Sequence, residues 1–361
     1  MNHIEIRHGN LLRAEAEVLV NTVNCVGVRG KGIALQFQRA FPEISKPYKD
    51  ACAAGLMHPG ELLPISVQPT LDRPLPLTVV NFATKDHWRG KSKIQWIEAG
   101  LASLALLSAA NHWKSIAIPP LGCGNGGLDW GQVLPLIELA FAGAVDTRVL
   151  VYPPEGAPDA ADMAVSGKVP NMTTNAALTV HMLARYSVVD LEFSQLELQK
   201  LTYFLQEAGE PLHLNFEAMK YGPAAPEIFP MLRRWEGHWT IGFGDGTGGL
   251  REPIMLRPEI VQAGADFLKK QPSPASEARV QQVLQLIEGM DTAAGLELLA
   301  TVHWVARHTP GATVDWRIAA KAVHDWNEHK RTAFPDAWIQ KAWQRLHDRQ
   351  MMPVNTRPSA D

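Results

Sequence analysis

The sequence predicts an α/β domain, with a mixed sheet flanked by helices, followed by a mainly α-helical domain. Three observations predict it: strand-like and helix-like segments alternate over residues 1–152, a Pro/Ala/Gly/Asp-rich stretch follows Pro153, and helical periodicity dominates beyond it. A chain of 361 residues suits two domains that each bury a core. We expect a first domain at 1–154, a linker at 155–172 and a second domain at 173–355.

The first domain is expected to alternate strands with helices in a regular order. The helix after the second strand should start near Gly32 and end before Pro42, because proline does not continue a helix. Ligand sites in such sheets lie beyond the carboxyl ends of the strands, where loops enter helices. The predicted strands are 3–7, 17–23, 61–67, 77–82, 115–118 and 147–152, and the further helices are 94–110 and 131–142.

The second domain is expected to consist mostly of helices. Pro272, Pro274, Pro310 and Pro335 stand between the helix-like segments, where proline is tolerated. The predicted helices are 174–186, 194–209, 224–236, 276–289, 292–307, 315–328 and 335–350.

The composition indicates a globular protein of the cytoplasm. The chain is 46% apolar and 20% charged, and no apolar run reaches the roughly 20 residues of a membrane span. The N-terminus does not resemble a signal peptide, and three cysteines suggest neither a disulfide framework nor a metal site. Residues 1–154 carry 14 basic and 12 acidic side chains, and the rest carries 20 and 25. This contrast fits halves that meet different partners, although ordinary surface variation also explains it.

Two glycine-rich loops stand at predicted strand-to-helix junctions. Residues 21–32 read Asn-Thr-Val-Asn-Cys-Val-Gly-Val-Arg-Gly-Lys-Gly, and residues 119–130 read Pro-Pro-Leu-Gly-Cys-Gly-Asn-Gly-Gly-Leu-Asp-Trp. Glycine lets backbone N–H groups approach an anion, and the following helix N-terminus favours negative charge. Either loop alone could be a tight turn; together they favour a diphosphate with its attached sugar. Neither contains GxxxxGK[ST] or GxGxxG, which disfavours a P-loop protein and a dinucleotide oxidoreductase.

The segments Gly9-Asn10-Leu11-Leu12, Val-Asn-Thr-Val-Asn, Gly-Lys-Gly-Ile-Ala and Pro-Leu-Gly-Cys-Gly together resemble the macrodomain family. The resemblance spans residues 1–152 and is greatest to the DNA ADP-ribosyl glycohydrolase antitoxins of DarT/DarG toxin–antitoxin pairs. It implies removal of ADP-ribose from DNA bases, thymidine above all, with no cofactor. The residues it implies for binding ADP-ribose are Asn10, Leu11, Asn21, Thr22, Val23, Asn24, Gly30, Lys31, Gly32, Ile33, Ala34, Thr84, Leu121, Gly122, Cys123, Gly124, Asn125 and Gly126.

Lys85 follows the predicted strand 77–82 and matches the catalytic lysine of these relatives by resemblance. A lysine attacks an anomeric carbon only as the free amine, so its pKa must fall through burial or a nearby cation. Alternatively, Lys85 stays charged and stabilises the departing base or positions the ribose. In the human terminal ADP-ribose glycohydrolase an aspartate of the Gly-Cys-Gly loop assists the lysine, but the aligned residue here is Gly126. Asp86 or a water could supply that help.

Two other side chains of the loops allow two interpretations each. The amide of Asn24 could bond the ribose hydroxyls or hold its own loop. Cys123 could be a nucleophile, but no histidine is tied to it by sequence, so a small buried residue is the better interpretation. The histidines lack the spacing of metal ligands, and we predict no metal.

The segment His87-Trp88-Arg89-Gly90-Lys91-Ser92-Lys93 places cations and an aromatic ring beside Lys85. Cations can follow the phosphates of ADP-ribosylated single-stranded DNA while the indole offers a stacking face. We therefore predict that Trp88, Arg89, Lys91 and Lys93 bind DNA. Trp88 could instead fold against the body of a solvated loop.

In the second half, Leu-Gln-Lys-Leu-x-Tyr-Phe (198–204) and Glu-Ala-x-Lys-Tyr-Gly-Pro (217–223) are similar to the signature of the Panacea-type antitoxin domain. The resemblance covers about residues 174–260 and implies direct binding of a cognate DarT-like ADP-ribosyltransferase toxin. An acidic helical surface could imitate phosphates in the toxin's DNA groove. Two other functions remain open: an ADP-ribose reader without catalysis, and a hydrolase of protein or small-molecule ADP-ribosyl adducts.

Overall fold

The computed structural model describes residues 3–69, 74–155, 158–165, 167–187 and 190–353. The chain forms two compact units. The first contains Met1–Gly167 and also the short segment Gly244–Thr247, and the second contains the remaining residues. The predicted domain end at 355 lies outside the described residues.

A six-stranded mixed sheet is the centre of the first unit, as predicted. Its spatial order is β1-β6-β5-β2-β4-β3, and every neighbouring pair is parallel except β3 and β4. The strands are β1 (Ile4–Ile6), β2 (Val18–Asn24), β3 (Leu62–Ser66), β4 (Thr78–Lys85), β5 (Ser115–Ile118) and β6 (Arg148–Val151).

Helices cover both faces of this sheet. They are α1 (Gly32–Ala40), α2 (Ser45–Ala53), α3 (Ile94–Ala110) and α4 (Trp130–Phe141). Val18 and Val20 of β2 share a core with α3 and α4, whereas Leu19 shares the opposite core with Phe37 of α1. Alternate residues of a strand point to opposite faces, so burial on both faces explains the apolar run in β2.

Three parallel strands bring their carboxyl ends to one edge of the sheet. β2 lies between β4 and β5, so the residues after Asn24, Lys85 and Ile118 leave the sheet side by side. β4 continues three residues beyond its predicted end, because its pairing with β2 resumes after an irregularity and places Asn24 opposite Lys85. The catalytic candidate is therefore the last residue of a strand.

The second unit is mainly helical, as predicted, and also contains short strands that the sequence did not indicate. Its helices are α5 (Thr174–Tyr186), α6 (Gln195–Glu207), α7 (Ile228–Trp235), α8 (Pro258–Lys270), α9 (Pro274–Ile287), α10 (Ala293–His308), α11 (Trp316–Trp326), α12 (Glu328–Ala333) and α13 (Asp336–Asp348). Its strands are β7 (Glu192–Ser194), β8 (Glu217–Met219), β9 (Gly222–Ala224), β10 (Thr240–Ile241) and β11 (Pro253–Leu256). They form the sheet β10-β11-β7 and the hairpin β8–β9.

The signature motifs of the second half meet in a buried polar cluster. Lys200 on α6 donates to the carbonyl of Pro223 at 2.6 Å. Lys330 on α12 donates to Glu297 Oε1 at 2.6 Å, and neither side chain is exposed. Arg251 and His329 also contact the Glu297 carboxylate, at 3.0 Å and 3.1 Å. The buried Glu297 carboxylate thus balances the buried Lys330 ammonium and also contacts the partly exposed Arg251 guanidinium.

Candidate functional site

Three loops meet at the carboxyl edge of the first unit's sheet. The first loop (residues 25–31) joins β2 to α1, the basic loop (86–93) joins β4 to α3, and the second loop (119–129) joins β5 to α4. The Cys25 amide donates to the Asp86 carbonyl at 3.0 Å, and the Ser92 amide donates to the Gly126 carbonyl at 3.1 Å. The basic loop is therefore bonded to both glycine-rich loops.

Lys85 lies between the basic loop and the second loop. Its Nζ donates to the backbone carbonyl of Asn125. Burial, followed by the charge of Lys91, lowers the pKa of the Lys85 ammonium below its ordinary value. Lys91 lies across the second loop, where its Nζ is 3.0 Å from the position of a β-carbon on Gly127. Both causes increase the fraction of Lys85 that is a free amine.

Gly126 leaves no room for a side chain beside Lys85. A β-carbon there would lie 2.2 Å from the Gly122 carbonyl oxygen and 2.3 Å from Ser92 Oγ. The aspartate that assists the lysine in the human relative therefore cannot occupy this position without rearrangement of the loop. The hydrogen-bond acceptor that the described residues give Lys85 is a carbonyl group.

Asn24 holds the first loop in place. Its Oδ1 accepts from the amides of Val26 and Val28 at 3.0 Å and 3.3 Å, and its Nδ2 donates to the Val28 carbonyl at 2.5 Å. The Tyr48 hydroxyl of α2 donates to the Asn24 carbonyl at 2.6 Å. The loop-holding interpretation is thus the one seen in the structure, and the bond to a ribose stays a prediction.

Arg29 is a buried cation of the first loop that sequence reasoning missed. Its Nη2 donates to the Ser45 carbonyl at 3.0 Å, and its guanidinium lies 4.8 Å above the ring centroid of Tyr48. Burial lowers the pKa of Arg29, and Nε and Nη1 have no hydrogen-bond partner among the described residues. The side chain fastens the first loop to α2, a helix that the sequence pattern did not reveal.

The other residues predicted to bind ADP-ribose differ in how much of their surface is exposed to solvent. Asn21 is fully buried within the sheet, where its Nδ2 donates to Asn81 Oδ1 at 2.7 Å. The Asn10 side chain bonds the amide of Leu12 and the carbonyl of Asp162, both at 3.0 Å. These assignments stay predictions. Buried are Leu11, Val23, Gly32, Thr84, Leu121 and Gly122; partly buried are Thr22, Gly30, Ile33, Ala34 and Cys123; exposed are Lys31, Gly124 and Asn125.

Cys123 has the properties of a small structural residue. Burial, followed by the charges of Asp129 and Glu155, raises the pKa of its thiol to about 11. A protonated thiol is a poor nucleophile at neutral pH. Within the described part of the chain, no group of three His, Cys, Asp or Glu side chains could hold a metal ion, and no helix is long and apolar enough to cross a bilayer.

The basic loop presents its aromatic ring to solvent. Trp88 is 45% exposed and therefore does not fold fully against the body of the unit. The Arg89 guanidinium lies 4.5 Å from the centroid of this ring, and Arg89, Lys91 and Lys93 are all exposed. An accessible indole surrounded by cations is an arrangement suited to stacking a base while binding phosphates.

This chain is similar to known proteins over most of its length. Residues 20–137 match the family model described as Macro domain. The chain is 40% identical to a DNA ADP-ribosyl glycohydrolase of Thermus aquaticus, an alignment that covers 94% of this chain and 91% of the relative. It is 39% identical to one of Mycobacterium tuberculosis, with 94% and 97% covered. A DNA ADP-ribosyl transferase–DNA ADP-ribosyl glycohydrolase fusion protein of Thermosipho africanus is 31% identical over 42% of each chain.

Proposed function

Because the chain belongs to the DNA ADP-ribosyl glycohydrolase family, we propose that it removes ADP-ribose from modified DNA bases, thymidine first, and neutralises a partner ADP-ribosyltransferase toxin. The observation that carries the catalytic half of the proposal is the position of Lys85. This lysine ends a central strand, contacts the second glycine-rich loop and has a lowered pKa.

The two glycine-rich loops would bind the diphosphate of ADP-ribose. Each precedes the N-terminus of a helix of the first unit, α1 or α4, where backbone amides and the helix dipole favour an anion. The two loops are close enough for one ligand, because Asn125 Nδ2 of the second loop lies 3.4 Å from the position of a β-carbon on Gly32, the residue that follows the first loop and begins α1. Asn24, Tyr48 and Arg29 keep the first loop rigid and so reduce the entropic cost of binding.

Lys85 would act as the nucleophile. Its neutral Nζ forms a bond to the anomeric carbon as the bond from that carbon to the base nitrogen breaks, and the base departs with the electron pair and takes up a proton. Water then hydrolyses the bond between lysine and sugar, which releases ADP-ribose and regenerates the amine. The lowered pKa of Lys85 supports this role over that of a permanent ammonium.

The basic loop would hold the single strand that carries the modified base. Its cations and the exposed ring of Trp88 lie directly after Lys85 in the chain. Binding the strand here would place the modified nucleotide at the site without requiring recognition of a long sequence.

The second unit would bind the toxin. Its signature motifs are those of an antitoxin module by resemblance, and the fusion relative carries in its name both a transferase and a glycohydrolase. From residue 155 onward the chain has 20 basic and 25 acidic side chains. An acidic surface on this unit would be complementary in charge to the basic DNA-binding groove of the toxin. Co-purification of the tagged second half with the cognate transferase tests this part.

The decisive experiment compares the wild-type chain with Lys85→Ala on an oligonucleotide ADP-ribosylated at thymidine. We expect the wild type to restore plain DNA and the variant to retain binding without turnover. Lys114→Ala is the matched control, since this exposed lysine lies at the amino end of β5, on the opposite edge of the sheet. Binding without turnover by the wild type would instead identify an ADP-ribose reader, and turnover only of ADP-ribosylated protein or small esters would identify a different hydrolase.

A further inference from the structure

A four-residue segment from late in the chain belongs to the first unit. This segment, Gly244–Thr247, is named here the strap. Asp245 in its middle is only 6% exposed, although it carries a carboxylate. Buried carboxylates are stable only when hydrogen bonds replace the lost water, so the strap must have specific partners.

The strap is bonded to one side of α1. The Gly32 amide donates to the Asp245 carbonyl at 3.0 Å, and Gln36 Nε2 donates to Asp245 Oδ2 at 2.8 Å. Arg39 Nη1 donates to the Gly244 carbonyl at 3.1 Å. Residues 32, 36 and 39 recur at helical spacing, so these bonds follow a single stripe of the helix.

The strap also has a defined internal structure. Asp245 Oδ1 accepts from the amide and the hydroxyl of Thr247 at 3.1 Å and 2.6 Å. Gly244 and Gly246 have φ values of +55° and +75°, a region that glycine adopts without steric cost. Both oxygens of the buried carboxylate are therefore used, one for α1 and one for the strap itself.

The strap reaches the junction of the two glycine-rich loops. The position of a β-carbon on Gly32 lies 3.5 Å from Thr247 Cγ2 and 3.4 Å from Asn125 Nδ2. The carbonyl of the same Asn125 accepts the hydrogen bond from Lys85. Thr247, the start of α1 and Asn125 of the second loop thus lie together, and Asn125 also contacts Lys85.

We propose that the strap is a positioning element of the ADP-ribose site, which holds the start of α1 against the second loop. The proposal rests on the proposed function of these loops. The first amide of a helix has no partner within the helix, and here the Asp245 carbonyl supplies one. A fixed helix start means that the loops are already arranged when the diphosphate arrives, so the ligand does not bear the cost of ordering them.

The experiment measures ADP-ribose binding and single-strand turnover by the full chain and its Asp245→Asn variant. Aspartate accepts from Gln36 Nε2 with one carboxylate oxygen and from the Thr247 amide with the other, whereas asparagine has a single acceptor oxygen and cannot keep both hydrogen bonds. We expect the dissociation constant to rise about tenfold, which corresponds to the loss of one such bond, with kcat at saturating substrate changed less than twofold.

Exchanging the donor and the acceptor between residues 36 and 245 distinguishes a positioning role of this hydrogen bond from a general effect on the stability of the unit. In the double variant Gln36→Glu with Asp245→Asn, the new amide donates to the new carboxylate, and we expect affinity to return to within about threefold of the wild type. Thr247→Ala is an exposed second variant, which should weaken binding several-fold. Asp146→Asn is the control, because it makes the same change at an exposed aspartate of this unit.

Four outcomes would overturn the proposal. The first is unchanged affinity for ADP-ribose in both Asp245→Asn and Thr247→Ala, and the second is tighter binding in either variant. The third is a fall in kcat without a change in affinity. The fourth is a double variant that melts at the wild-type temperature but does not recover the wild-type affinity. Tighter binding would mean that the strap occupies the site. Failure of the wild-type chain itself to bind ADP-ribose would refute the proposed function instead, so the two failures are distinguishable.

Discussion

Replacement of Glu297 by glutamine should destabilise the second unit strongly. The Glu297 side chain has no exposed surface and accepts hydrogen bonds from Lys330 at 2.6 Å and Arg251 at 3.0 Å. Glutamine removes the negative charge but keeps the shape, so Lys330 would remain buried with Thr301 Oγ1 at 2.9 Å as its other acceptor. Lys200 lies in the same cluster, and burial followed by the charge of Lys330 lowers its pKa to about 7.

The structure sets the magnitude of this effect. Breaking a buried ion pair by removing one partner costs about 3–5 kcal/mol, because the remaining charge is left without compensation. In a unit of this size each kcal/mol lowers the melting temperature by roughly 2–4 °C. We therefore expect the melting temperature of the second unit to fall by about 6–20 °C.

Tryptophan fluorescence during thermal and urea unfolding measures this change, since seven of the 11 tryptophans lie in residues 235–343. Glu288→Gln is the matched control: its carboxylate is 72% exposed and contacts Arg349 at 3.2 Å, an exposed pair worth less than about 1 kcal/mol. A loss below about 1 kcal/mol in Glu297→Gln, equal to that of the control, would refute the reasoning.

Three further predictions concern charge. Burial and the charge of Lys330 lower the pKa of Lys200 to about 7, below its value in the unfolded chain. Between pH 7 and 10.5 the unfolded chain therefore binds more protons than the folded chain, and the free energy of unfolding should rise with pH over this range. Lys200→Met should reduce this rise in urea titrations; an identical pH dependence would contradict it. Lys91→Met removes a charge that lowers the pKa of Lys85, so this pKa should rise and the acid limb of the pH–rate profile should move to higher pH when measured at low salt. A profile that stays in place would argue against the mechanism in which Lys85 reacts as a free amine. The Arg89→Ala, Lys93→Ala double variant should leave ADP-ribose affinity intact but make the log–log salt dependence of oligonucleotide binding shallower by about 1.4, and equal loss for both ligands would reject the DNA role.

The sequence predicted the parts of the fold that depend on local pattern. The alternation of apolar segments located the six strands of the first unit, and the glycine-rich loops at their ends located the candidate site. The position of Lys85 near the end of a strand could also be predicted from the sequence, because the residue follows an apolar run. Its role was assigned by resemblance to the family. Burial on both faces makes such strands conspicuous in a sequence.

Most features that escaped prediction depend on contacts distant in sequence or on short elements; helix α8 (Pro258–Lys270), which the sequence analysis did not predict, is the exception. Helix α2 buries only Tyr48 and Ala51, too few residues to produce a recognisable periodicity, and the support of Arg29 was missed with it. The bond from Gln36 to Asp245 joins residues 209 positions apart. In the second unit, strands of two to four residues carry too little pattern to be recognised.

The strap has a consequence for the synthesis of this protein. The main part of the first unit ends at residue 167, but Thr247 is made 80 residues later. At roughly 5–20 residues per second, the ribosome takes about 4–16 s to cover that distance. During this interval the nascent chain can form its sheet while the Gly32 amide and the Gln36 side chain still lack their Asp245 partners. The hydrolase therefore reaches its final form only after part of the second half has been translated.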